Sequence, residues 1–258
     1  MVPTQSPDPA ILVWGLAFAS PGGGRVTGVV AAPAAPGRYA GIVTLHGLPG
    51  TAADAMLYQG YAFAARGAVV VSIDAPRARR GGGLAFTPQD SSDQVQLIID
   101  LRRAVDLLSA RLDVDSTRIG YSGGSYGGAM GALFVGVEQR LKAAALFVPD
   151  GGLVAHFTNS SGTAIGNLAS RPADQQARWL EAMVPIEPIR FIGEKRGSEL
   201  LLQNGQVDVL VSLEDAEALH QAVPEPKTVR WYAAGHGLTA QAYSERTEWL
   251  AERLRLTR

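Results

Sequence analysis

Residues 118–128 read R-I-G-Y-S-G-G-S-Y-G-G and hold the pattern G-x-S-x-G twice, three residues out of register, with Ser122 at the centre of one copy and Ser125 of the other. A serine hydroxyl attacks an acyl carbon only when a histidine takes its proton and an acidic side chain fixes that histidine's tautomer. On a strand–turn–helix elbow, these partners follow in the order serine, acid, histidine. Two histidines stand far enough downstream, His220 and His236. His220 lies inside E-D-A-E-A-L-H, a helical pattern that predicts a partly exposed surface residue. His236 lies in A-A-G-H-G-L, on a loop after the strand-like V-R-W-Y, and is the favoured base.

For the acid, L-L-L-Q-N-G-Q-V-D reads as a buried strand, a glycine turn and a carboxylate, which selects Asp208. Asp150, after A-A-A-L-F-V-P, is the alternative, whereas Glu214 and Asp215 read as first-turn helix residues favoured by the helix dipole. A developing oxyanion needs fixed donors. One is the N–H of Tyr126, directly after the serine. The other comes from L-H-G-L-P-G, where Pro49 has no N–H and Leu48 is the natural donor. His46 precedes the serine and is expected to brace this loop.

The flanking elements decide between the serines. The turn formers Asp113, Asp115, Ser116 and Thr117 put the strand start at about 117. A turn at Ser122 would leave about four strand residues, and a helix carrying Gly123, Gly124, Gly127 and Gly128 in its first two turns. Each such glycine costs roughly 1 kcal/mol relative to alanine. A turn at Ser125 leaves only Gly127 and Gly128 in the helix, so Ser125 is the expected nucleophile.

Strands are predicted at 11–19, 25–31, 40–46, 68–74, 117–123, 143–149, 198–204 and 227–233, with helices at 52–66, 93–112, 125–138, 212–222 and 239–255. In the second helix Ile98, Leu101, Val105, Leu108 and Leu112 form one apolar stripe. The pattern predicts one α/β domain over 1–258: a mostly parallel eight-stranded sheet with an antiparallel amino-terminal hairpin and helices on both faces. Residues 151–188 break the alternation and are expected to form a small cap. Its Phe157, Ile165, Leu168, Trp179 and Met183 would cover an apolar pocket or pack inward.

The 258 residues carry 23 basic and 24 acidic side chains, which gives no global field for nucleic acid or an anionic membrane. Arg77, Arg79 and Arg80 form the one basic run, read as a solvated loop, with contact to an anionic substrate or closure over the site as the alternative. With no cysteine, disulfides, thiolate metal sites and a cysteine nucleophile are excluded. No apolar run reaches membrane-spanning length. Residues 11–19 mimic a short signal segment but lack a basic residue before them, and read better as a hairpin arm. A cytoplasmic monomer or homodimer is expected.

Taken together, L-H-G-L-P-G, D-x-x-R-I-G-Y-S-G-G-S-Y-G-G, N-G-Q-V-D and G-H-G resemble the α/β-hydrolase superfamily over about residues 25–255. Within it, the chain is similar to bacterial dienelactone-hydrolase-like and prolyl-oligopeptidase-like serine esterases. The resemblance implies the α/β-hydrolase fold, a nucleophile at Ser125 and hydrolysis of a small-molecule carboxylic ester without metal or organic cofactor. The elbow differs from that of dienelactone hydrolases proper, which carry a cysteine there. Peptide-cleaving relatives usually carry a large amino-terminal propeller, and only some 25 residues precede the shared region here. A serine peptidase or amidase and a catalytically silent binding protein are the alternative readings.

Overall fold

Runs rich in valine, isoleucine and alanine build nine strands: β1 (Val2–Thr4), β2 (Ile11–Ala19), β3 (Arg25–Pro33), β4 (Tyr39–Leu45), β5 (Ala68–Ile73), β6 (Val114–Gly124), β7 (Leu141–Phe147), β8 (Glu199–Gly205) and β9 (Lys227–Tyr232). The computed structural model describes residues 1–158 and 165–256, the side chains of Ile165 and Gly166 excepted, so the expectation placed on Ile165 lies outside the described residues. The strand order is β1-β2-β3-β5-β4-β6-β7-β8-β9. Pairing is antiparallel from β1 through β3 to β5, and parallel from β5 to β9.

Two expectations about strands are corrected. The sheet has nine strands, not eight, because Val2–Thr4 adds an exposed edge opposite Val13, Trp14 and Gly15. Three residues around a proline are too few to show a two-residue period. Strand β6 begins at Val114 rather than near Thr117, since Val114 pairs with Tyr39 before the register shifts. The turn formers at 115–117 therefore lie within a strand whose irregular register absorbs them.

The central strands are buried on both faces, as parallel strands under helices must be. On one face Val43, Val71, Ile119 and Tyr121 pack with the helices α4 (Pro88–Ser109) and α5 (Tyr126–Val137). On the other, Ile42, Val70, Ala143 and Leu201 pack against Met56, Phe63, Leu250 and Leu254. These come from a helical stretch made of α1 (Ala52–Ala55), a π-turn Met56–Gly60 and α2 (Tyr61–Ala64), and from the final helix Ala240–Leu254. Each buried aliphatic side chain contributes on the order of 1.5–3 kcal/mol, which holds the helices at fixed heights on the sheet. Helix α4 starts at Pro88 and stops at Ser109, so Leu112 falls off the predicted stripe and is fully exposed.

Helix α3 (Pro76–Arg80) follows β5, where the arginine run was expected to be a solvated loop. Long-range partners order it instead. Arg79 pairs with the buried Asp100 at 2.9 Å, Arg80 donates to Asp93 at 2.8 Å, and the buried Arg77 guanidinium lies 5.2 Å from the centre of the Tyr126 ring.

Between β7 and β8 lie α6 (Leu153–Thr158), α7 (Ile165–Ala169), α8 (Ala173–Met183) and three 3₁₀ turns, Val184–Ile186, Pro188–Arg190 and Ile192–Glu194. Trp179 and Met183 pack fully inward, and Leu168 is buried beside them. The rings of Phe86, Phe157 and Trp179 meet at 5.0, 5.5 and 6.0 Å. Asp90 accepts hydrogen bonds from the N–H groups of Ala85 and Phe86 and from Trp179 Nε1, tying this segment to α4. Two more helices, α9 (Leu213–Ala222) and α10 (Ala240–Leu254), complete the chain. Among the described residues no helix is long and apolar enough to cross a membrane.

Candidate active site

Ser125 occupies the single residue between β6 and α5, with φ 55° and ψ −122°, a left-handed backbone unusual for a side chain with a Cβ. Such a residue costs on the order of 1–3 kcal/mol, held in place here by its surroundings. Those surroundings leave no room for side chains two residues to either side. A Cβ on Gly123 would sit 2.3 Å from the Gly127 carbonyl oxygen, and one on Gly127 would sit 2.5 Å from that of Leu45. Crowding against backbone carbonyls marks the second copy of G-x-S-x-G, whereas the nearest atoms at Gly120 and Gly124 of the first copy belong to the side chains of Leu254 and Phe147. Ser122, by contrast, is fully buried in β6 and donates to Gln59 Oε1 at 2.6 Å.

The loops after the last two strands bring two further groups to Ser125. Asp208 follows β8 and His236 follows β9, 28 residues apart in sequence. His236 Nδ1–H donates to Asp208 Oδ2 at 2.8 Å, and Ser125 Oγ–H donates to His236 Nε2 at 2.8 Å. The tautomer follows from the ionised carboxylate, which can only accept. The Asp208 side chain is 1% exposed. Burial by itself would raise its pKa, but the bond from His236 and the N–H groups of Leu210 and Val211, at 2.8 and 3.1 Å, outweigh it and hold the carboxyl below its ordinary value. Asp208 is therefore charged wherever His236 needs an acceptor. Asp150 does not reach His236; its carboxylate is taken by another histidine, His156.

The loop after β4 faces the elbow. Its residues Gly47, Leu48 and Pro49 line the same cavity as Ser125. His46 braces it: Nδ1–H donates to the Gly47 carbonyl at 2.7 Å while Nε2 accepts from the Ala75 N–H at 3.1 Å. Burial lowers the His46 pKa, which keeps the ring neutral and able to accept from Ala75. Opposite, Tyr126 is the first residue of α5, where backbone N–H groups have no partner within the helix.

Two cavities meet at Ser125. One, about 340 Å³, is lined by Leu48, Tyr58, Phe147, His236 and Tyr243 among others. The second, about 220 Å³, runs from Leu48 and Tyr126 to His156, Phe157 and Leu210. Phe157 thus lines a cavity, while Trp179 and Met183 do not. Among the described residues, no group of three or more His, Cys, Asp or Glu side chains is placed to hold a metal ion.

Chemistry-bearing residues that sequence patterns did not single out surround this second cavity. His156 Nδ1 lies 2.9 Å from Asp150 Oδ2; the six-residue spacing within a glycine-rich stretch carries no recognisable signal. Glu187 accepts from the Val154 N–H at 2.9 Å. Burial pushes the Glu187 carboxyl up to about 8, with the charges of Asp150 and Asp215 adding to the effect against the Val154 and Ala155 N–H groups. Between its ordinary 4.5 and about 8 the folded chain holds a proton that the unfolded chain releases, so stability falls as pH rises through that window. Glu187→Gln removes this dependence. Thermal unfolding at pH 6 and pH 9 is expected to show the parent losing at least about 5 °C more in Tm than the variant.

His220 is buried rather than partly exposed. Its Nε2–H donates to Asn204 Oδ1 at 2.9 Å, and Asn204 Nδ2 donates to the Pro149 carbonyl at 3.0 Å, which ties α9 and β8 to the loop carrying Asp150. Burial, reinforced by Lys227, takes the His220 pKa down to about 4, so it stays neutral and holds this tie.

Solved structures share the fold. An acetyl xylan esterase from Paenibacillus sp. R4 superposes with TM-score 0.78 at 20% identity, covering 97% of this chain and 87% of its own. Acetyl xylan esterase 1 from Thermoanaerobacterium sp. JW/SL YS485 gives 0.78 at 16% over the same shares. A cold-adapted esterase from an Arctic intertidal metagenomic library gives 0.71 at 18%, covering 96% of each chain. No curated protein matches the chain. The mostly parallel sheet with its antiparallel amino-terminal strands and flanking helices is an α/β-hydrolase fold. Residues 55–255, from the helix after the His46 loop to the last turn of α10, match the prolyl oligopeptidase family, and the chain belongs to that family.

Proposed function

We propose that the protein is a serine hydrolase of carboxylic esters working through an acyl-enzyme. The observation that carries this reading is the unbroken line from Asp208 through His236 to Ser125, with two links of 2.8 Å at the mouth of a cavity. Ser125 Oγ attacks the ester carbonyl as its proton passes to His236 Nε2. Asp208 stabilises the imidazolium that forms and holds the ring in place. The backbone N–H groups of Leu48 and Tyr126 receive the negative oxygen of the tetrahedral intermediate, at a helix N-terminus that favours negative charge. His236 then gives its proton to the departing alcohol, and a water deacylates Ser125 by the same steps in reverse. These steps need no cofactor, and Leu153, His156, Phe157 and Asn167, the described residues of the segment that line the second cavity, act as a small cap.

The solved esterases of the same fold favour an ester substrate, and the family name favours a peptide or amide. Both begin with the same nucleophile, so the substrate decides. A fluorophosphonate probe is expected to label the protein, and p-nitrophenyl acetate and butanoate to be turned over at least about 100-fold faster in kcat/KM than aminoacyl p-nitroanilides. An equal or faster anilide reaction would establish the peptidase reading. Absence of both labelling and turnover would make the chain a silent member of its fold.

A further inference from the structure

His156 is oriented as carefully as His236 but toward the other cavity. Asp150 Oδ2 accepts from its Nδ1 at 2.9 Å, Asp150 Oδ1 is itself held by the Gly152 N–H at 3.1 Å, and the Phe157 ring meets the imidazole edge-on at 4.9 Å. These contacts fix the ring and leave Nε2 with no hydrogen-bond partner among the described residues. The side chain is 19% exposed and lines the cavity of about 220 Å³ that it shares with Ser125. The remaining wall is largely apolar, with Leu48, Ala129, Leu153, Phe157, Leu210 and Val211 beside Tyr126 and the polar Asn167.

The chemistry of the proposed reaction tells the two cavities apart. His236 must return a proton to the leaving oxygen, and it lines the cavity of about 340 Å³ but not the other, so the alcohol leaves through the larger one. The acyl chain then takes the cavity of His156. A saturated chain there would cover the open ring nitrogen and leave it without a hydrogen bond, whereas a chain carrying an oxygen at that point would satisfy it. We propose that His156 is a specificity-determining residue that binds a hydroxyl on the acyl chain, making short hydroxyacyl esters the preferred substrates. This rests on the ester-hydrolase reading given above.

The surrounding charges narrow the class to a neutral oxygen. Asp150 touches the ring, Asp215 at the start of α9 and Asp208 on the loop after β8 add their charges, and Glu187, kept protonated at neutral pH by burial, accepts from the Val154 N–H of α6. A carboxylate at the end of the acyl chain would meet this acidic ring of groups. Burial would lower the His156 pKa, but the bond to Asp150 and the charges of Asp150, Asp215 and Asp208 outweigh it and leave it above its ordinary value. A hydroxyl accepts from the imidazolium and donates to the neutral ring, so it is bound in both states.

The test uses pairs of p-nitrophenyl esters of nearly equal shape: 3-hydroxybutanoate against 3-methylbutanoate, and 2-hydroxybutanoate against 2-methylbutanoate. The ratio of kcat/KM within each pair is compared between the parent and His156→Phe, so intrinsic reactivity and any general loss of activity cancel. At least one hydroxy-to-methyl ratio is expected to fall about tenfold in the variant. His156→Gln, which keeps a donor and an acceptor, is expected to retain part of the preference, and His156→Ala serves if the phenylalanine variant does not fold. Ratios indifferent to all three substitutions would overturn the role of His156 while leaving the esterase intact. A mono-p-nitrophenyl succinate whose preference over the pentanoate collapses in the variants would overturn the neutral class in favour of an anionic one. No turnover of any ester by the parent would sink both the proposal and the function beneath it.

Discussion

Replacing Ser125 by alanine lowers kcat on p-nitrophenyl esters by on the order of 10⁶-fold and abolishes fluorophosphonate labelling, with the fold intact by circular dichroism. The loss is large because the hydroxyl contributes only as part of a unit. Without it, His236 and Asp208 have no proton to move. The matching control is Ser122→Ala, which removes a buried bond to Gln59 and leaves Gln59 Oε1 without that donor. That change costs about 1–3 kcal/mol of stability and leaves labelling in place. Labelling that survives Ser125→Ala and vanishes with Ser122→Ala would reverse the assignment.

Asp208→Asn is the second large effect, a fall in kcat of about 10⁴-fold at neutral pH with little change in KM. An amide at that position can turn its NH₂ toward His236 Nδ1. The ring then takes the other tautomer, with its proton on Nε2, where it can no longer accept from Ser125. The two N–H groups that Asp208 Oδ1 now accepts, from Leu210 and Val211, can still be satisfied by the amide oxygen, so the loop keeps its shape. Steady-state kinetics beside thermal unfolding separate this from a collapse of the loop, which would raise KM and lower Tm together. By the same logic Asp150→Asn, although it alters a carboxylate only six residues from His156, is not expected to approach that loss, because no bond links Asp150 to His236.

That Ser125, Asp208 and His236 meet was legible because each stands directly after a strand in a parallel sheet, and all such loops open on one end. That the turn falls at Ser125 rather than Ser122 was legible for only one of the two reasons offered. Strand length does not separate the two serines, since β6 begins at Val114 and would have been long enough with either as the turn. The glycines do separate them: Gly123 and Gly127 are required by carbonyl oxygens 2.3 and 2.5 Å from where their Cβ atoms would be, a contact no local propensity contains.

What escaped the sequence depends on polar partners supplied by other elements of the fold. Three arginines after β5 look like a solvated loop until Asp93 and Asp100 arrive from α4 to neutralise two of them. His220 looks like a surface residue of an amphipathic helix until Asn204 of β8 takes its ring nitrogen. His156 and Asp150 look like parts of an irregular insertion. Only the left-handed turn at Val148, the two hydrogen bonds accepted by Asp150 and the packing of Phe157 reveal an imidazole aimed at a cavity. Periodicity reports which face of an element is buried; it is silent on which polar groups find one another between elements.

The strand order also governs when the site comes into being as the chain is made. The serine elbow and the His46 loop lie on neighbouring strands, β6 and β4, and both are complete once α5 has been synthesised. His236 stands 111 residues beyond Ser125 and follows β9, the outermost strand of its side of the sheet. Until β9 adds to β8, the proposed nucleophile is built but has no base. On the proposed mechanism a nascent chain therefore carries an inert serine over the 111 residues that separate it from its base, and hydrolytic power arrives with the closing of the sheet's last edge.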